Sequence, residues 1–374
     1  MFIVIIISFF VLFSYCLLIF IFINGWMKTE PFKPLFTQEF ETKCSIIIAA
    51  RNEAGQIENI LSDILQQEYP RELFEIIIVN DHSEDNTANI VSFFQQGNAI
   101  SLINLQGEKT GKKAALTEGI TLSNGELILT LDADCRVGKR WLMTMVQFYK
   151  ENNSTVIMGP VDFHEKKGFW NKIQNLEFLS LVGSSASAIN NGQAFLCNGA
   201  NLAYKRKVFL QLEDPFTQNI SSGDDLFFLH KVKKINDSQI HFLKNSDAIA
   251  YTHGVNSIKS FFSQRIRWAS KSSKINDSES LVFMAIISAM NLLLLFLLVV
   301  SIINSNYLFI FIACFGTKTI VDFAFFKQIL PFFEKENLLK QIPLTNFFYF
   351  LYFAIMIILS LVMKPKWKGR SIKV

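Results

Sequence analysis

At 374 residues, with 50% hydrophobic residues and 38 phenylalanines, the chain is too apolar to be soluble throughout. Its 36 basic and 32 acidic residues leave a scattered net charge of only +4, which gives no support to a nucleic-acid partner. Five cysteines, Cys16, Cys44, Cys135, Cys197 and Cys314, show no CxxC pairing and predict neither a zinc site nor a disulfide framework.

Phe2 to Ile23 is almost wholly apolar and long enough to cross a bilayer, with no charged leader and no small-residue cleavage signal. Residues 1–25 are therefore expected to form an uncleaved transmembrane anchor, and residues 26–42 a linker. Lys28 and Lys33 follow the anchor, so the positive-inside tendency puts the next domain in the cytosol.

Cys44 to Ala50 is a continuous apolar run that stops at Arg51, Asn52 and Glu53, the pattern of a strand buried on both faces. A helix is expected over Gln56 to Gln67, and a second strand over Glu75 to Val79, ending at Asn80 and Asp81. A third strand near Ile100 to Leu105 precedes a helix starting at GKKAALTEGI, Gly111 to Ile120. The next strand, in LILTLDADCRV from Leu127 to Val137, empties into Asp132 and Asp134.

Residues i and i+2 of an extended segment project to the same side, so Asp132 and Asp134 can share one hard divalent cation. In isolation an Asp-x-Asp is more often a strand ending in a polar turn. Strand and helix alternating in this way predict an α/β fold with a doubly wound sheet, whose ligand crevice lies beyond the carboxyl ends of its strands. Neither GxGxxG nor GxxxxGK[ST] occurs, so carboxylates with a metal are the alternative means of holding a diphosphate.

Further on, Gly168 to Ile189 reads equally as an amphipathic segment on a membrane surface or as core. CNGANLAYK, Cys197 to Lys205, puts Asn and Gly where the backbone turns sharply or approaches a ligand. SSGDDLFFLHKVKKI, Ser221 to Ile235, reads as a helix with Asp224 and Asp225 in its first turn, where plain capping is the bland explanation. Short strands near Gln239 to Lys244 and Ala248 to Thr252 lead to a helix from Ser257 that carries QRIRW, Gln264 to Trp268.

Residues 281–363 hold two or three further spans, at Leu281 to Ile303, Tyr307 to Phe326 and Leu344 to Met363. The middle one carries Lys318 and Asp322, four apart and able to pair on one helix face, and is the weakest as a simple crossing. Three crossings would leave the basic tail, residues 364–374, outside, against the positive-inside tendency, so the topology stays open.

Seven of these motifs come in the order and spacing of a known group: AARNE, VNDHSEDNT, GKKAAL, DAD, NGAN, GDD and QRIRW. The chain resembles the membrane-anchored inverting family 2 glycosyltransferases, among them ceramide glucosyltransferase-like enzymes and processive polysaccharide synthases. The resemblance covers roughly residues 43–271 and implies a cytosolic GT-A nucleotide-sugar-binding (Rossmann-like) domain at 43–275, between transmembrane helices. It also implies the bacterial inner (plasma) membrane as location.

What the resemblance implies for single residues is as follows. Asp81 would bind the nucleoside, with Arg51 and Glu53 shaping its pocket. Asp132 would face the ribose or diphosphate and share with Asp134 a Mg²⁺ or Mn²⁺ ion. Asp225, with Asp224 beside it as the other candidate, would be the general base. Asn198, Gly199, Gln264, Arg267 and Trp268 would hold the diphosphate and wall the acceptor end. Lys112, and Lys113 next to it, either reach a phosphate or lie on a solvated helix face. The Arg267 and Trp268 pair has a plain alternative as a membrane-interface anchor. The five histidines show no ligand spacing and are read as structural.

The expected reaction moves a sugar from a nucleoside diphosphate donor, a UDP-sugar, to a lipid acceptor at the cytosolic face. A processive polysaccharide synthase is the alternative, with the small membrane portion favouring the lipid unless oligomerisation enlarges it. An inactive nucleotide-sugar-binding homologue is the rival from another class.

Overall fold

In a computed structural model of the chain, the described residues are 1–35, 40–217, 223–236, 239–270, 274–363, 366–367 and 370–371. They form two compact units. One is helical, made of Met1–Lys28, Glu165–Phe195 and Val255–Pro365; the other, of Thr29–His164, Leu196–Gly254 and the chain end, holds the main sheet. Glu165–Phe195 and the segment after Gly254 fall in the helical unit.

The sheet unit contains β1 (Cys44–Ala50), β2 (Phe74–Asn80), β3 (Ile100–Asn104), β4 (Leu127–Asp132), β5 (Arg136–Val137), β6 (Val156–Met158), β7 (Val161–Phe163), β8 (Asn201–Lys205), β9 (Ile240–Phe242) and β10 (Ala250–Thr252). Seven strands form one sheet in the order β3-β2-β1-β4-β8-β6-β9, while β5, β10 and β7 form a small second sheet. Strands β1 to β4 are mutually parallel and β8 runs against both β4 and β6. Ile46, Ile47 and Ile48 are completely buried, as a parallel strand covered on both faces requires.

The chain visits β1, β2 and β3 outward in one direction and then crosses back to place β4 on the other side of β1. This reversal makes a switch point between β1 and β4, and the register sets Ala49 level with Asp132, so both strands end at one crevice. Helix Lys112–Leu122 comes close to the sheet at Gly119, where a Cβ would stand 2.7 Å from the Ile47 side chain.

β8 is, with the short β5 and β7, a strand that the sequence did not announce. CNGANLAYK reads as a sharp turn or a close approach to a ligand, and Asn201 onward is an internal strand whose first residue is fully buried. Asn201 donates to the carbonyls of Pro160 and Ala248 at 2.7 and 2.8 Å and accepts from the Trp141 indole at 3.0 Å. Those bonds satisfy a polar side chain inside the core.

In the helical unit, Phe2–Lys28, Ser278–Ile303, Asn306–Phe333 and Glu336–Ser360 are long and apolar enough to cross a membrane. The segment that looked weakest as a span is a continuous helix, Asn306–Ile329, because its charges are satisfied internally. Lys318 Nζ meets Asp322 Oδ2 at 2.5 Å, Tyr15 donates to Asp322 Oδ1 at 2.6 Å, and Asn346 donates to Asp322 Oδ2 at 2.8 Å. Phe169–Ile189 is a helix packed on Phe2–Lys28, so close that a Cβ on Gly25 would overlap the Ser187 carbonyl. The basic tail falls largely outside the described residues.

Candidate active site

The ends of β1 and β2 are tied by Arg51. Its buried guanidinium donates through Nη1 to the carbonyls of Asp81 and His82, both at 2.8 Å, and its Nη2 stands 3.1 Å from Glu84. Asn52 and His82, just past the two strands, both have φ of 52°, so both chains turn sharply at the crevice. Glu53 donates its backbone N–H to the Thr87 hydroxyl at 2.8 Å.

Asp81 is 1% exposed, and its Oδ2 accepts the Gly111 N–H at 3.0 Å while Oδ1 lies 3.2 Å from His82 Nδ1. Gly111 has φ of 95°, a conformation that glycine takes at little cost. Asp81 therefore pins the turn that starts helix Lys112–Leu122, and so fixes where Lys112 points.

Lys112 Nζ lies 2.6 Å from Asp132 Oδ1 and 3.5 Å from Asp224 Oδ2. Burial alone would lower its pKa, but Asp132, Asp224 and Asp225 together hold the ammonium above its ordinary value. Lys113, by contrast, is buried and donates to the carbonyls of Phe216 and Thr217 at 2.6 and 2.9 Å, so it is neither solvated nor aimed at the crevice.

Asn198 accepts the Ala200 N–H at 3.0 Å and thereby shapes the loop that carries Gly199. Gly199 donates its N–H to Asp225 Oδ2 at 3.0 Å. A Cβ there would stand 3.3 Å from Asp224 Oδ2, 3.3 Å from Asp225 Cβ and 3.5 Å from Lys112 Nζ, so this position lies against all three. Asp224 is buried; Asp225 is half-buried and also accepts the Leu226 N–H at 2.8 Å. The structure thus gathers Lys112, Asp132, Gly199, Asp224 and Asp225 around one point.

Asp134 accepts a hydrogen bond from the Thr252 hydroxyl at 3.2 Å. Burial and the charge of Asp132 raise its pKa above the usual carboxylate value, against the Thr252 hydrogen bond and the pull of His253. His253 follows β10, whose pairing with β5 brings its charge within range of Asp134 from over a hundred residues away. No local spacing could have revealed that.

Asp132 and Asp134 are hard oxygen donors of the kind Mg²⁺ or Mn²⁺ accepts. Among the described residues no group of three or more His, Cys, Asp or Glu is arranged as a metal site. The fit is therefore to two carboxylates completed by a ligand's phosphates, a common Mg²⁺ arrangement.

Gln264, Arg267 and Trp268 belong to the helical unit, on helix Ile258–Ala269. The residue that organises them there is Arg265, which the motif spacing skips. Its guanidinium lies between the rings of Phe261 and Trp268, at 4.5 and 4.3 Å, and bonds Glu177 at 2.6 and 3.0 Å. Gln264 accepts from Arg265 as well.

Residues 45–212 match the family described as glycosyl transferase family 2. That match includes Arg51, Asp81, Lys112, Asp132, Asp134 and Gly199 and ends before Asp224, Asp225 and the QRIRW helix. The chain is 26% identical over 327 residues to a poly-beta-1,6-N-acetyl-D-glucosamine synthase of Staphylococcus epidermidis, covering 82% of this chain and 74% of that one. It is 33% identical over 140 residues to the synthase of the same name from Staphylococcus aureus, 37% of this chain and 33% of that one. Its fold is similar to that of a mannosyltransferase from Pyrobaculum calidifontis, solved with GDP-mannose and Mn²⁺, at a TM-score of 0.57 and 18% identity over 95% of this chain and 98% of that one. The chain carries a family 2 glycosyl transferase domain on a GT-A fold and is a glycosyltransferase.

Proposed function

We propose that the chain is a processive synthase, extending a polysaccharide at the cytosolic membrane face by inverting transfer from a nucleoside diphosphate sugar. UDP-N-acetylglucosamine is the first donor to test. The observation that carries the reading is the convergence of Asp132, Lys112, Gly199, Asp224 and Asp225 at one crevice. The polymer is favoured over the lipid acceptor expected from the sequence because the Staphylococcus epidermidis relative, named for polymer synthesis, matches 82% of the chain.

In this reading Arg51 and Asp81 hold the strand ends that shape the nucleoside pocket, with Glu53 beside them. Asp132 and Asp134 would hold Mg²⁺ or Mn²⁺, whose charge stabilises the departing diphosphate. Lys112 adds a cation on the same side. Asp225, oriented by the N–H groups of Gly199 and Leu226, removes the proton from the acceptor hydroxyl as that oxygen attacks the anomeric carbon. Asp224, paired with Lys112, is less free to take a proton. Gln264, Arg267 and Trp268 serve the diphosphate and acceptor, Trp268 offering a flat apolar face.

The test is detergent-purified protein with a panel of donors, Mg²⁺ or Mn²⁺, and native lipid extract, with products sized by mass. A ladder of added sugars supports the proposal, and one sugar on a lipid replaces it with the lipid-acceptor reading. Nucleotide binding without turnover would leave the inactive homologue.

A further inference from the structure

Lysine at the first position of a helix is at the wrong end of the macrodipole, which favours anions there. Lys112 nevertheless occupies that position in Lys112–Leu122. Its ammonium is spent instead on bridging Asp132 at 2.6 Å and Asp224 at 3.5 Å, the ends of two separate elements. Gly199 sits against the bridge, where a Cβ would lie 3.5 Å from the ammonium nitrogen. With Asp225 close by, three carboxylates act on this one ammonium.

We infer that Lys112 is the resident cation of the metal-free site, occupying an oxygen of Asp132 that the divalent ion needs, and that metal loading releases its ammonium onto the donor's diphosphate. This rests on the reading of Asp132 and Asp134 as the metal carboxylates. Its consequence is a built-in coupling. The metal alone must compete with Lys112 for Asp132, whereas with a nucleoside diphosphate present the displaced ammonium gains new phosphate oxygens. Metal and donor therefore favour each other's binding, and the site resists holding a metal with no donor. Couplings of this sort are typically about 5- to 150-fold.

Mn²⁺ binding to the full chain in detergent, followed by electron paramagnetic resonance with and without UDP, tests the inference. Lys112→Met is expected to bind Mn²⁺ alone about tenfold more tightly than the unaltered chain, and to lose most of the enhancement that UDP gives. Lys112→Arg, which keeps the charge, is expected to stay near the unaltered affinity. Mn²⁺ affinity in Lys112→Met that is unchanged or weaker overturns the inference. Mn²⁺ binding that Asp134→Ala does not weaken overturns instead the reading of the metal carboxylates. Should Lys112→Met not fold, acylation of Lys112 in the unaltered protein, read by mass spectrometry, decides. Mn²⁺ with UDP removed is expected to raise the labelling, and unchanged labelling overturns the release.

Discussion

Two neighbouring carboxylates start the same helix, and their surroundings give them different work. Asp224 is 8% exposed and faces Lys112, while Asp225 is held by two backbone N–H groups and is more open. Asp225→Asn keeps the shape and removes the proton acceptor, so kcat is expected to fall about 10²- to 10⁴-fold with UDP affinity unchanged. Asp224→Asn is expected to cost less in kcat and to show instead as weaker donor binding through Lys112. Parallel measurement of kcat and nucleotide affinity separates the two, and the reverse pattern would make Asp224 the base. The sequence offered both residues because their order along the chain is legible, whereas the ammonium beside one of them comes from a helix more than a hundred residues earlier.

The helix Ile258–Ala269 shows what a motif hides. Gln264, Arg267 and Trp268 stand out by spacing, but the packing turns on Phe261, Arg265 and Trp268, which fall at i−4, i and i+3 and so share one face. That much was written in the sequence; the partner Glu177, 88 residues away, was not. The ion pair is nearly dry, with side-chain exposures of 4% and 10%. Glu177→Ala would leave the guanidinium buried without its counter-charge, a loss of about 3 kcal/mol or more. Thermal unfolding in detergent should show the drop. Unchanged stability would mean that water reaches the pair. Among the strands the same contrast holds: β1, β2 and β4 are legible as unbroken apolar runs, while β5 and β7, at two and three residues, carry too little pattern to read.

At the scale of the molecule, hydropathy alone located the apolar helices, and the Lys318 and Asp322 spacing announced an ion pair. It did not announce that the pair is a junction. Tyr15, from a helix 307 positions away, and Asn346, from a third helix, close on the same carboxylate. In an apolar bundle such a cluster is costly to break and cheap to replace as a whole, since the penalty lies in an unmatched charge. Asp322→Leu, leaving Lys318 buried without its counter-charge, is expected to cost about 3 kcal/mol. Pairing it with Lys318→Met should restore much of that loss, because no charge is then stranded. A double-mutant cycle on unfolding in detergent measures the difference. Recovery in the double variant assigns the cost to the unmatched ammonium charge; a double variant as unstable as the single one assigns it to the hydrogen bonds that Tyr15 and Asn346 make to Asp322, and the junction between three helices, rather than its charge balance, is then what the cluster provides.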